Sequence, residues 1–236
     1  MDYSEPCKYS IRLIAKLKSL DTTNVLDFNL INKAIYWARK YHGVQVRKSG
    51  EPFYSHPLEV AYMISEYKLK TDVIAASILH DIVEDTEVTV EMIEGTFGQR
   101  IAKMVDRLTR DRPDGSKLSI EQVLDKIYEK QDEEVLLIKL FDRFHNLSTI
   151  DALLPQHKIE ITYYETLVNF LVVAILFENK DIEHLITKKY CNSKLANRKR
   201  SKQTLSMPLV LDDSYLLSLI SESDSHLEET EPLKVA

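Results

Sequence analysis

Only five glycines and seven prolines punctuate the 236 residues. Chain breakers that scarce favour long regular elements, and no segment alternates apolar and polar residues convincingly enough to be a strand. Helical spacing does recur. Ile31, Ala34, Ile35 and Ala38 fall at i, i+3, i+4 and i+7, one face of a helix over 27–42. Gly43, Gly50 and Pro52 mark a loop over 43–55, and Pro57 suits the first turn of a helix running to about residue 67. Thr71 or Asp72 is expected to cap the next helix, which carries Ile74, Ala75, Ile78, Leu79 and Ile82. Further helices are predicted at about 89–96, 98–110, 119–131, 133–150 and 158–177, with a polar loop over 110–117. The fold class is all-α.

A hydrophobic content of 44 % describes a globular chain, and the length suits one domain with a tail. The character changes near residue 187. Residues 188–202 are basic, 221–231 acidic and serine-rich, and 209–220 a short apolar stretch between them. The reading is a domain over 1–187, its core at about 28–175, and a poorly ordered tail over 188–236. The apolar stretch is free to dock on the domain or on a protein partner. Cys7 and Cys191 lie far apart and form no C-x-x-C pair, which points to a reducing, cytoplasmic setting. Residues 1–5 carry neither a basic stretch nor an apolar one, so secretion is not expected. The longest apolar run, near 167–177, is broken by Asn169 and falls short of the ~20 residues that span a bilayer. A net charge of −6 argues against broad nucleic-acid binding. It does not exclude an anionic small molecule, because local cations and a metal can reverse the field inside a cleft.

The chemistry concentrates in Ile78-Leu79-His80-Asp81-Ile82-Val83-Glu84-Asp85-Thr86. Three acids and an imidazole follow an apolar run. On a helix His80 and Glu84 share one face and Asp81 and Asp85 another. His80 and Asp81 can ligate an ion, with Glu84 and Asp85 in reach of its water. The competing reading is a helix C-terminus with solvated carboxylates, which the helix dipole disfavours. His56, after the Gly/Pro loop, is a second candidate ligand, though alone it reads as a surface histidine. Asp142 interrupts an apolar helix with Asn146 at i+4. A buried charge must be paired or bind a metal, but an Asp142–Arg143 surface pair accounts for this residue equally well. Arg47-Lys48, taken alone, reads as a solvated loop.

The order His…His-Asp…Asp resembles the HD-domain phosphohydrolases, and more closely the hydrolase domain of RelA/SpoT homologues. Three blocks carry the resemblance: Arg47-Lys48-Ser49-Gly50-Glu51-Pro52-Phe53-Tyr54-Ser55-His56-Pro57, His80-Asp81-Ile82-Val83-Glu84-Asp85-Thr86, and Lys139-Leu140-Phe141-Asp142-Arg143-Phe144-His145-Asn146-Leu147-Ser148-Thr149. It covers about 28–175. The resemblance implies an HD-domain helical fold and hydrolysis of the 3′-pyrophosphate of the alarmones ppGpp and pppGpp to GDP or GTP. It implies one Mn²⁺, with Fe²⁺ or Zn²⁺ as alternatives, held by His56, His80, Asp81 and Asp142. Glu84 and Asp85 would orient and deprotonate the attacking water. Arg47 and Lys48 would hold the nucleotide, with Ser49, Asn146 and Thr149 on ribose or phosphate. A stand-alone hydrolase form is expected, since no synthetase half follows. Family members usually carry Arg where Ser148 stands and Ala where Phe141 stands. The first difference removes a cation near the phosphates, and the second adds bulk beside Asp142. The wall at 170–174 also departs from the family's small-Pro pattern. The alternatives are an HD phosphohydrolase acting on another nucleotide such as NADPH, or a non-hydrolysing alarmone-binding module.

Overall fold

The structure is a computed structural model that describes residues 3–111, 115–150, 166 and 169–191. The chain divides into two compact units, Met1–Thr166 and Leu167–Ala236. Among the described residues every regular element is a helix, as the sparse Gly and Pro imply. The first unit contains α1 (Lys8–Leu20), α2 (Phe28–His42), α3 (Ser55–Ile64), α4 (Thr71–Leu79), α5 (Ile82–Asp85), α6 (Val90–Phe97), α7 (Gln99–Leu108), α8 (Ile120–Glu129) and α9 (Glu133–Ile150).

Helix α4 is the centre of this unit. Every residue from Val73 to Leu79 is buried, and the helix packs against α2, α3, α7 and α9. A helix apolar all round has no other stable place in a protein of this size. Its start is fixed differently from the sequence expectation. Neither Thr71 nor Asp72 caps it, because Lys70 occupies the N-cap. Thr71 Oγ1 instead accepts the Asp27 N–H at 2.9 Å, tying α4 to the start of α2. Asp72 pairs with Arg100 on α7. Asp27 caps α2 by accepting from the N–H groups of Asn29 and Leu30. Helix α1, which the periodicity reading did not single out, buries Leu13 and Leu17 and packs on α3.

Between α2 and α3 the chain makes a tight antiparallel turn, with Val46 paired to Pro52. Arg47 N–H donates to Glu51 O at 2.8 Å and Gly50 N–H to Arg47 O at 2.8 Å. Gly50 sits at φ +85°, a conformation that costs other residues strain. The turn is anchored inward by His42, whose ring stacks on Phe53 with centroids 4.8 Å apart.

In the second unit, residues 169–176 are helical and α10 follows at Lys180–Cys191. Asn179 joins them, its side chain accepting the Ile182 N–H at 3.0 Å. Phe170, Val173, Ala174, Leu185 and Ile186 are buried. Most of the helix expected at 158–177, and the tail beyond residue 191 with its apolar stretch at 209–220, lie outside the described residues. Ile78 in the middle of α4 is fully buried. Ile78→Ala is expected to cost about 2–5 kcal/mol of stability in urea denaturation.

Candidate metal centre

Helices α3, α4, α5 and α9 deliver the four residues of the inferred ligand set. His56 lies in the first turn of α3, His80 is the C-cap of α4, Asp81 follows it as the N-cap of α5, and Asp142 lies in the middle of α9. The apolar run of α4 explains the burial of His80, which is 1 % exposed, like His56. Asp142 is 6 % exposed, so it is not half of a surface pair. Its partner is the buried Lys139 at 3.1 Å, one turn earlier on α9, and not Arg143.

The donor atoms converge. His56 Nε2 lies 3.1 Å from Asp142 Oδ1 and 3.4 Å from Asp81 Oδ2, and His80 Nε2 lies 3.1 Å from Asp81 Oδ1 and 3.7 Å from Asp142 Oδ1. Neighbouring ligands on one ion with bonds of ~2.0–2.2 Å stand roughly 3.0–3.5 Å apart. His56, His80 and Asp142 each bring one donor atom within 4.8 Å of the other two. Asp81 borders this trio and meets the two imidazoles through different oxygens.

Hydrogen bonding shows why a cation fits here. His80 Nδ1 stands 2.7 Å from Ser77 O, and a carbonyl can only accept, so Nδ1 carries a proton. In the neutral ring Nε2 is then a lone pair, and it has no aligned hydrogen-bond partner although fully buried. It faces carboxylate oxygens, which are also acceptors. Acceptors held that close need a proton or a metal between them. Two imidazoles with two carboxylates form a mixed N/O set suited to Mn²⁺, Fe²⁺ or Zn²⁺.

The electrostatics agree. Burial opposes charge on His80, but the negative charge of Asp81 and then Asp142 raises it from 6.5 to about 10. Burial also opposes the charge of Asp81, yet His80 holds it at about 2. Asp142 is desolvated too, but Lys139, His56 and His80 keep it well below the usual carboxylate range. Lys139 is raised despite its burial by the same two aspartates. Burial, then the charges of His56 and Arg47, lower His145 to about 3.

The acidic pair sits on the short helix α5. Asp85 remains exposed at the surface. Partial desolvation, then the charges of Asp81 and Glu84, nevertheless raise it to about 6. Glu84 accepts a hydrogen bond from the Arg110 N–H, and Lys117 approaches it at 3.7 Å. The 43–54 turn is fastened to the same segment, since Gln45 Nε2 donates to Asp85 O at 2.9 Å.

Beside the cluster opens a pocket of about 430 Å³. Arg47, Lys48 and Ser49 line it from the turn, Asn146 and Thr149 from α9, and His56 and Asp81 from the cluster. Arg47 donates to Asn146 Oδ1 at 3.0 Å, and Asn146 Nδ2 donates to Asp142 Oδ1 at 2.7 Å. Lys48 and Ser49 are exposed at the rim. Arg143, which the sequence reading treated only as a rival partner for Asp142, is a third cation of this pocket. Thr166 Oγ1 accepts from its Nε at 2.9 Å. Lys139 and His145 were likewise not singled out. All three stand in the quoted α9 block, but nothing in a linear sequence separates a buried Lys from a solvated one. Ser148 is exposed and turned onto its own helix, donating to His145 O at 2.7 Å. Phe141 is buried against Tyr67 and Phe144. A larger cleft, of about 610 Å³, lies elsewhere, and its arginines are paired: Arg100 with Asp72 and Glu134, Arg107 with Asp132.

A family model described as HD domain matches residues 34–169, which contain all four candidate ligands. The chain belongs to the HD-domain family. The resemblance to RelA/SpoT homologues holds as well. The chain is 37 % identical over 137 residues to a GTP pyrophosphokinase rsh of Brucella suis biovar 1, covering 56 % of this chain and 18 % of that protein. It is 34 % identical over 156 residues to a probable guanosine-3′,5′-bis(diphosphate) 3′-pyrophosphohydrolase of Mycoplasma pneumoniae, covering 61 % of this chain and 21 % of that one. The HD chain thus spans about a fifth of the length of these two relatives. A solved structure of a metazoan SpoT ortholog that hydrolyses ppGpp shares the fold, with TM-score 0.57 and 21 % identity. That match covers 74 % of this chain and 97 % of the other. Among the described residues no helix is long and apolar enough to cross a membrane.

A proton on His80 and a divalent ion on the same Nε2 exclude each other. Metal binding near neutral pH is therefore expected to release about one proton per site. Titration calorimetry in buffers of different ionisation enthalpy checks this, and affinity should fall as the pH is lowered.

Proposed function

We propose that this HD domain is a divalent-metal-dependent hydrolase that removes the 3′-pyrophosphate of ppGpp or pppGpp, leaving GDP or GTP. The observation that carries the reading is the convergence of His56, His80, Asp81 and Asp142 beside a pocket walled by Arg47, Lys48 and Arg143. Carboxylates alone would repel a nucleotide with two diphosphates, so both the ion and the cations are needed. The four residues hold one ion, and Mn²⁺ is the first choice for this donor set in this family. A divalent ion at these ligands lowers the pKa of water and neutralises charge on a phosphoryl group.

The protein's own groups divide the remaining work. Asp85, raised to about 6, is ionised at neutral pH and still basic enough to take a proton from the attacking water. Glu84, fixed by the Arg110 N–H, orients that water. Arg47 and Lys48 bind the diphosphates, with a guanidinium suited to two-point contact with phosphate oxygens. Arg143, pinned through Nε, directs its remaining N–H groups to the same anions. Asn146 is engaged by Arg47 and Asp142 at once, so its amide couples nucleotide binding to the ligand cluster. Ser49 from the turn and Thr149 from α9 contact the ribose or phosphate.

Metal-loaded protein given ppGpp is expected to release pyrophosphate. No release from ppGpp, with turnover of NADPH in a parallel assay, would overturn the substrate assignment. Tight ppGpp binding without turnover would reduce the protein to a binding module. Asp81→Ala should abolish both metal binding and activity. Glu84→Ala should keep the metal and lose about 10²–10⁴-fold in kcat. Because Asp85 acts in its ionised form, kcat should fall as the pH drops through about 6, and Asp85→Asn should remove that limb along with most of the activity.

A further inference from the structure

His145 neither holds the ion nor touches the nucleotide in this reading. Yet its Nδ1 lies 2.7 Å from Nδ1 of His56, with the ring centroids 4.8 Å apart. Two ring nitrogens that close form a hydrogen bond only if one carries a proton and the other a lone pair. The far nitrogen of His56, Nε2, faces Asp142 Oδ1 at 3.1 Å and Asp81 Oδ2 at 3.4 Å. A metal held at Nε2 needs the lone pair there, which places the single proton of the neutral ring on Nδ1. His145 Nδ1 must then be the acceptor.

We propose that His145 is a positioning residue: it accepts the hydrogen bond from His56 Nδ1–H and so fixes the tautomer and ring orientation that present Nε2 to the ion. This inference rests on the metal-binding reading of the four-residue cluster. The other imidazole has the corresponding support from the backbone, since Ser77 O accepts from His80 Nδ1 at 2.7 Å. The two supports differ in kind. A carbonyl is always an acceptor, whereas an imidazole accepts only in one tautomer. His56 also lies in the first turn of α3, at the end of the 43–54 turn, and both hydrogen-bond partners of its ring, Asp142 and His145, stand on α9. Asp142 and His145 are three residues apart on that helix and lie on one face. Helix α9 therefore supplies a ligand and, one turn later, the group that orients a second ligand. Outer partners of metal-bound histidines typically contribute 10–100-fold to metal affinity.

The test compares wild-type full chain with His145→Ala and His145→Asn in equilibrium dialysis against Mn²⁺, with thermal melts to confirm folding. An asparagine places an amide oxygen near the position of Nδ1 and can accept from His56, whereas alanine cannot. His145→Ala is expected to weaken Mn²⁺ binding about 10–100-fold, and His145→Asn to restore most of it. With Co²⁺ in place of Mn²⁺, wild type and His145→Asn should share one ligand-field absorption spectrum, and His145→Ala should depart from it. Wild-type affinity in His145→Ala, or equal losses in both variants, overturns the positioning role alone. A wild-type chain that binds no Mn²⁺ overturns the metal reading together with it.

Discussion

The Asp142 carboxylate, two imidazoles and the Lys139 ammonium are buried together where α3, α4 and α9 meet, with the half-buried Asp81 carboxylate at their edge. Taking such groups out of water costs several kcal/mol each unless charge and hydrogen bonds repay it. Lys139 repays part, through Asp142. The carbonyl of Ser77 and the ring of His145 engage one nitrogen of each histidine. What remains is a convergence of His56 Nε2, His80 Nε2 and the carboxylate oxygens, which a divalent cation would satisfy. The surrounding architecture holds these donors in register. Helix α4 is apolar on all sides so that its last turn ends inside the protein, and α2, α3, α7 and α9 enclose it.

From that centre a continuous chain of contacts runs outward to solvent. Asp142 joins Asn146, Asn146 joins Arg47, and Arg47 belongs to a turn whose shape Gly50 permits. The same turn reaches α5 through Gln45. Within a single pocket the buried His56 and half-buried Asp81 thus give way to the half-buried Arg47 and then to the exposed Lys48. An anionic nucleotide would enter past Lys48 and Ser49 and bring a phosphoryl group toward the cluster. The gradient is electrostatic as well: pKa values near 2 and 10 inside give way to one near 6 at Asp85.

Much of this was legible in the sequence, for physical reasons that differ by element. Helix α9 was read at its observed bounds, because its apolar run is bracketed by a polar turn on one side and acidic residues begin it. Asp27 and α2 were equally plain. The break between α4 and α5 was not. The apolar spacing continues through Ile82, so the segment reads as one helix. In the structure His80 Nδ1 takes the Ser77 carbonyl, which an uninterrupted helix would reserve for the Asp81 N–H. The capping of α4 was misread because Thr71 is engaged by Asp27, 44 residues away in sequence. The cluster's residues were identified through the order of motifs, whereas Lys139, Arg143 and His145 needed three dimensions. Their roles follow from what they face, and a charged or aromatic residue on a helix carries no mark of its orientation. The differences at Ser148 and Phe141 carry less weight in space than in sequence. One is exposed and hydrogen-bonded to its own helix, and the other packs in the core.

The central claim is that His56, His80, Asp81 and Asp142 hold one divalent ion beside the cationic pocket. Anomalous diffraction at the manganese edge, from crystals grown with Mn²⁺, tests it most directly. The account predicts a single strong peak within ~2.0–2.2 Å of donor atoms from all four residues. A peak elsewhere, or none at a concentration that supports turnover, would contradict it.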